Sequence, residues 1–170
     1  MSKDVKAFSN RRCIVEIAYF THAEDGNTEI LMRKIAGQLN LPSNRIMPKK
    51  PYPISYEALV ERAKDEHEHS IFPEASINHE ISDDVLILGT PIWFGELPNV
   101  VKRFLKEQLV APRVIYPFCT SEGSGLGNSI NELKAIFPDT EIKLGLAVQG
   151  SKVNKADQAV ANWLEQLNLI

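Results

Sequence analysis

Residues Val85 to Thr90 read Val-Leu-Ile-Leu-Gly-Thr, a short and almost wholly apolar run. A strand with one wet face alternates apolar and polar residues, so a run without alternation is expected where helices cover both faces of a parallel sheet. This segment is therefore placed at the centre of the sheet. Around it, hydrophobic runs alternate with helical periodicities along the whole chain, which is the pattern of an α/β protein. At 170 residues the chain fits one domain spanning residues 1–170, large enough to bury roughly two thirds of its unfolded surface.

Cys13 to Phe20 reads as a first strand, interrupted only by Glu16. Gly26-Asn27-Thr28 opens a helix whose Leu31, Ile35 and Leu39 recur at helical spacing, with Pro42 just beyond it. A short strand follows at Asn44 to Met47, and Pro48 suits it to a sheet edge. Pro51-Tyr52-Pro53 leads into a highly charged helix from about Tyr56 to His69. Its only apolar stripe is Leu59, Val60 and Ala63, so it is expected to lie mostly in water. The helix after the central strand carries Val101, Leu105 and Leu109 on one face, with Val100 and Phe104 beside them. Val114 to Thr120 is a fourth strand, Ile130 to Phe137 a short helix and Ile142 to Val148 a fifth strand. A last helix, capped by Asn154, buries Val160, Trp163, Leu164 and Leu167. Strict alternation with right-handed crossovers gives a doubly wound three-layer sandwich.

A net charge of −3 offers no basic surface to supply the electrostatic term that dominates nucleic-acid affinity. No apolar run approaches the ~18 residues of a membrane span, and Met1 to Arg12 is polar and charged. A cytoplasmic protein is expected, with no nucleic acid and no membrane span among its interactions. Cys13 and Cys119 form neither a metal-ligand spacing nor a disulfide framework, so both are read as thiols.

In such a sheet a ligand sits outside the carboxyl ends of the strands, where the strand order reverses. Three loops leave strand ends there: Thr21 to Thr28, Pro91 to Pro98 and Thr120 to Asn128. The first brings backbone N–H groups and short hydroxyl side chains to a helix start, which is a physical phosphate site. The same residues also read as a plain helix start, with Thr21 and Asp25 capping and Gly26 turning the chain. No Gly-Lys-Ser/Thr follows, which excludes a triphosphate P-loop. The second loop places Trp93 and Phe94 between prolines on a rigid segment, suited to stacking on a planar ligand. Adjacent residues point differently, so one aromatic is expected to cap the core while the other meets ligand. The third loop, rich in Gly and Ser, can present a row of N–H groups to an anion or a heterocycle edge. It matches neither a nucleophile elbow nor a Rossmann fingerprint. Among the histidines, His67 and His69 diverge on their helix and read as a solvated face, and His79 is isolated. His22 lies in the first loop and reads either as a cofactor contact or as simply exposed.

With these loops together the sequence resembles the flavodoxin-like FMN proteins over nearly its whole length. The resemblance is carried by Gly26-Asn27-Thr28, by Pro51-Tyr52-Pro53 with Tyr56 and the charged helix, and by Pro91-Ile92-Trp93-Phe94-Gly95 with Pro98. Pro117-Phe118-Cys119-Thr120 running into Gly123-Ser124-Gly125 adds to it. It implies a flavodoxin-like three-layer sandwich, a five-stranded parallel sheet of order 2-1-3-4-5 with helices on both faces. It also implies FMN as the cofactor, with Thr21, Asn27 and Thr28 on the phosphate. The loop from Pro91 to Gly95 would lie along the isoalloxazine with Trp93 near the ring, and Thr120 to Ser124 would border the pyrimidine edge. Contacts are thus expected from Thr21, His22, Asp25, Gly26, Asn27 and Thr28, from Thr90, Pro91, Ile92, Trp93, Phe94 and Gly95, and from Thr120, Ser121, Glu122, Gly123 and Ser124. One departure stands out. The family's common phosphate loop is Ser/Thr-x-Thr/Ser-Gly-x-Thr, whereas Thr21 to Thr28 carries two extra residues and places Asp25 where a hydroxyl is expected. An acid there is unfavourable beside a phosphate unless it points away.

Hydride and electron chemistry belongs to the flavin, so no acid, base or nucleophile is assigned. Two functions follow from the resemblance. One is an NAD(P)H-dependent oxidoreductase reducing quinone-like or other small acceptors. The other is an electron-transfer flavodoxin serving a redox protein partner. Shuttle flavodoxins resemble one another in strong acidity, which suits steering toward basic partners, and −3 is mild, so the reductase is favoured. A flavin-free interaction module is the third reading, and a homodimer is compatible with the sequence.

Overall fold

The structure, a computed structural model, describes residues 13–170. The reading of Met1 to Arg12 lies outside them. The strands are β1 (Val15–Tyr19), β2 (Ser43–Arg45), β3 (Met47–Pro48), β4 (Ala75–Ser76), β5 (Val85–Pro91), β6 (Val114–Ser121), β7 (Glu141–Ile142) and β8 (Leu146–Gln149). The helices are α1 (Asn27–Leu39), α2 (Tyr56–Glu68), α3 (Asn99–Lys106), α4 (Ser129–Ile136) and α5 (Asp157–Gln166).

The main sheet runs β2-β1-β5-β6-β7, with β8 also paired to β6, and every pairing in it is parallel. Counting β7 and β8 as one interrupted strand, this is the expected order 2-1-3-4-5. Every residue of β5 is buried, because both faces are covered. Its Leu86 and Leu88 enter one core with Val100, Val101, Phe104 and Leu105 of α3 and Leu133 of α4. Ile87 enters the other core with Leu31 and Ile35 of α1 and Val160, Trp163 and Leu164 of α5. No helix among the described residues is long and apolar enough to cross a membrane.

Several local expectations are corrected. The fifth strand is not continuous from Ile142 to Val148 but breaks between β7 and β8. Ile115 accepts a hydrogen bond from Lys143 N, so residues of its parity on β6 face the fifth strand. Pro117 has that parity and no N–H to donate, which removes a rung of the ladder where the break occurs. Leu109 lies beyond the end of α3 and is exposed. Asn154 sits in a 3-10 turn over Gly150–Lys155, and Ala156 takes the cap position of α5. Met47 leaves the second strand to pair with Ser76 in a small antiparallel ribbon, β3 with β4. The charged helix α2 buries Leu59 and Ala63 as its stripe requires, but it also buries Glu66. That carboxylate accepts from Tyr52 Oη at 2.8 Å and from Arg62 Nε at 2.9 Å, so the charge is paired and hydrogen-bonded in the way burial demands.

Candidate functional site

The loops after β1, β5 and β6 converge at the carboxyl ends of these strands around a cleft of about 590 Å³. The first loop contributes His22, Asn27 and Thr28, the second Pro91 to Gly95 and the third Thr120 to Ser124. A fourth wall was not anticipated: Ile54 and Tyr56, then Leu59, Val60 and Ala63 of α2. Its signal was present in the sequence as an apolar stripe on an otherwise charged helix, entered through a rigid Pro-Tyr-Pro segment. Thr21, Asp25, Gly26 and Thr90 do not line the cleft. The buried Thr21 and Thr90 turn their hydroxyls to the carbonyls of Ala23 and Pro91, at 3.0 and 2.8 Å.

The start of α1 forms one end of the cleft. The first helical bond runs from Ile30 N to Gly26 O at 3.0 Å, so the N–H groups of Asn27, Thr28 and Glu29 have no acceptor within the helix. Gly26, at the cap position, has no side chain to satisfy them. These donors and the positive end of the helix dipole favour an anion. Thr28 and Thr120 bring hydroxyls to the same end, 2.8 Å apart. Asp25 is turned away from it. The exposed Asp25 holds a left-handed backbone, φ 55°, and its carboxylate accepts from Arg33 at 2.6 Å. Arg33 also meets Glu29 at 3.1 Å, and Glu29 in turn accepts from Asp25 N at 2.8 Å. Burial first, and the nearby Arg45 charge second, hold the His22 imidazole below its ordinary pKa. At neutral pH the donors lining this end are therefore uncharged: backbone N–H groups, two hydroxyls, the Asn27 amide and a neutral imidazole.

The loop after β5 closes as a tight turn. Trp93 N donates to Glu96 O at 2.9 Å and Glu96 N to Trp93 O at 3.0 Å, with φ 53° at Phe94 and 75° at Gly95. Positive φ at both central positions is the type I′ geometry. Gly95 takes it freely, whereas for Phe94 it costs on the order of 1–2 kcal/mol. The two aromatics divide between the core and the mouth of the cleft. Trp93, though it reaches the cleft, packs edge-on against Phe20 at 5.6 Å and Tyr52 at 5.2 Å. Phe94 is half exposed at the mouth and stacks on His67 at 5.2 Å.

Two devices pin this turn. Asn128 N donates to Gly95 O at 2.7 Å, and Gly127, at φ 51°, lies so close that a Cβ there would stand 2.2 Å from the same oxygen. Lys102 lies between Glu96 and Glu132, 2.7 Å from each, and Glu132 accepts from Leu97 N at 2.8 Å. Hydrogen bonding from Lys102 lowers the Glu96 carboxyl. Burial alone would lower the Lys102 ammonium, but its bonds to Glu132 and Glu96 carry it above its ordinary value. Behind the third loop, Cys119 Sγ donates to Gly125 O at 3.4 Å, and burial pushes the thiol up to about 12. Cys13 and Cys119 are both free. His69 turns back onto Asp65 at 2.9 Å and His79 onto Glu16 at 2.6 Å.

A family model described as Flavodoxin matches residues 14–167. Among solved structures, a protein from Bacteroides uniformis ATCC 8492 designated a flavoprotein superposes with a TM-score of 0.68 at 21% identity, covering 86% of this chain and 97% of that one. A flavoprotein from Lactobacillus acidophilus NCFM in complex with FMN gives 0.62 at 18% identity, covering 83% and 96%. A further protein designated a flavoprotein, from Bacteroides eggerthii DSM 20697, gives 0.61 at 24% identity, covering 86% and 97%. At these identities the superpositions establish the fold. No curated protein matches the sequence significantly.

Proposed function

Because the chain belongs to the flavodoxin family, we propose that the cleft holds one FMN and that the protein is a cytoplasmic oxidoreductase passing electrons from NAD(P)H to a quinone-like or other small acceptor. The donor set fits the group: unpartnered N–H groups at the start of α1 with the Thr28 and Thr120 hydroxyls suit a phosphate ester. The apolar walls of α2 and of the Trp93–Phe94 turn suit a flat heterocycle. FMN, when bound, supplies the hydride and electron chemistry. The chain's own part is to bind, orient and exclude water. Thr28, Asn27 and the first-turn amides would hold the phosphate, Phe94 and Tyr56 would flank the ring, and the amides of residues 120–124 would face its pyrimidine edge.

The observation that favours a small acceptor over a protein partner is the rim. Ile54 is 85% exposed, Tyr56 77% and Phe94 49%, so the mouth of the cleft is largely apolar, with Glu122 its one lining acid among the described residues, where a shuttle would be expected to carry an acidic collar. A flat uncharged acceptor gains from such a surface, whereas steering toward basic proteins needs a strong negative field. The net charge of −3 agrees with this.

The test is an absorbance spectrum of the purified protein titrated with FMN, followed by anaerobic mixing with NADH or NADPH and then a quinone. Rapid bleaching by a pyridine nucleotide and reoxidation by quinone are expected. Tight FMN binding without bleaching by either nucleotide would leave the electron-transfer role between proteins as the function. No flavin binding would remove both.

A further inference from the structure

The phosphate end of the cleft poses an electrostatic problem that its own lining does not solve. Three acids lie along the first loop and the first turn of α1: Glu24, Asp25 and Glu29. Of the groups lining the cleft, Glu122 of the third loop adds a further acid and the rest carry no positive charge. Arg33 is committed to Asp25 and Glu29. A dianion placed here without further positive charge would meet a net negative field.

Arg45 is a partly buried cation that no carboxylate among the described residues meets. It ends β2, in register with Tyr19 of β1, so the edge strand delivers it to the side of the first loop. Its Nη2 donates to the Thr21 carbonyl at 3.3 Å, while its Nε is buried with no hydrogen-bond partner. Arg33, Arg62, Arg103 and Arg113 each meet a carboxylate. Among the described residues Arg45 alone of the arginines meets none. A partly buried guanidinium with an orphaned N–H and no counter-ion is unfavourable unless an anion comes within reach of its field. That field already extends to the cleft side of the loop, since it helps to hold down the pKa of His22, which lines the cleft.

Resting on the FMN reading above, we infer that Arg45 is the counter-charge of the phosphate dianion, acting from behind the Thr21–His22 backbone, and that it makes the site select FMN over unphosphorylated riboflavin. Arg45 then compensates for the lengthened, acid-rich loop. The edge strand, which otherwise contributes nothing to the cleft, contributes its charge.

Flavin fluorescence titrations of the whole chain with FMN and with riboflavin test this. Arg45→Met keeps the aliphatic stem and removes the charge, and it should weaken FMN roughly tenfold or more while leaving riboflavin unchanged. Arg45→Lys should recover most of the FMN affinity, because the charge is restored at the same place. Riboflavin serves as the control for the fold and the ring site. Equal loss of both flavins in Arg45→Met, no loss of either, or an Arg45→Lys variant as weak as Arg45→Met would overturn the inference. Failure of the unmodified protein to bind either flavin would instead overturn the proposed function on which it rests.

Discussion

The hydroxyls of Thr28, in the first turn of α1, and Thr120, near the end of β6, stand 2.8 Å apart, and both residues are buried. The contact ties the start of a helix on one face of the sheet to the strand that opens the third loop. Each hydroxyl can donate to the other or to a ligand at the same end of the cleft.

Thr28→Val should therefore leave the Thr120 hydroxyl without its partner and lower apoprotein stability by about 1–3 kcal/mol. The double change Thr28→Val with Thr120→Val removes both polar groups at nearly constant shape, so it should regain most of that loss. FMN affinity should stay low in both variants. Urea midpoints beside fluorescence titration measure this, and a double variant no more stable than the single one would mean that Thr120 has found another partner.

The two aromatics of the β5 loop should separate cleanly. Trp93 packs against Phe20 and Tyr52, so Trp93→Ala should cost roughly 3–5 kcal/mol of stability. Phe94 bears left-handed strain at φ 53°, and Asn-Gly is the favoured pair for a type I′ turn. Phe94→Asn should accordingly leave the apoprotein as stable or more stable, by up to about 1 kcal/mol, while bound flavin becomes more emissive. A fall in midpoint for Phe94→Asn comparable to that of Trp93→Ala would show that the His67 stack outweighs the strain.

Lys102 should give the turn a pH signature. The Glu96 carboxyl is depressed in the fold, so its contribution is present above the ordinary carboxyl pKa and is lost as pH falls through the lower folded value. The Lys102 ammonium is raised, so its contribution is present below its ordinary value and is lost as pH rises through the higher folded one. Lys102→Met should cost about 2–3 kcal/mol near neutral pH, somewhat less than a fully buried pair because Glu96 is 34% exposed. It should also flatten the acid and alkaline limbs contributed by this pair. Unchanged limbs in a thermal-melt series across pH would assign the acid and alkaline losses to other groups.

The thiols should report burial. Cys119 is buried, with a thiol raised to about 12, whereas Cys13 is exposed, with a thiol raised chiefly by its hydrogen bond to the Asp84 carboxylate. At mildly alkaline pH a thiol reagent should label one cysteine of the native protein slowly and two after unfolding, without reduction. Fewer than two thiols in the unreduced, unfolded protein would reveal a disulfide.

The strand order and the layering were legible because they rest on patterns local to each segment: an unbroken apolar run at 85–90, alternation with helices, and turn residues at strand ends. The break in the fifth strand was not legible from its own residues. Its cause is the missing N–H of Pro117 on the neighbouring strand, which matters only once the pairing and parity are known. Glu66 reads as one more charge on a wet helix until Tyr52 and Arg62 are seen to close around its carboxylate.

At the cleft, the residue types in Thr21 to Thr28, Pro91 to Gly95 and Thr120 to Ser124 determined which three loops meet, because loop composition sets where backbone donors and rigid aromatics stand. What only the tertiary structure decided are the directions. Asp25 faces Arg33 and not the cleft, Trp93 is drawn into the core while Phe94 takes the mouth, α2 supplies a fourth wall, and Arg45 is left without a carboxylate. Each of these depends on partners far away in the chain, and the direction a side chain takes is set by the neighbours that satisfy its charge or fill its packing, which periodicity within one segment does not contain.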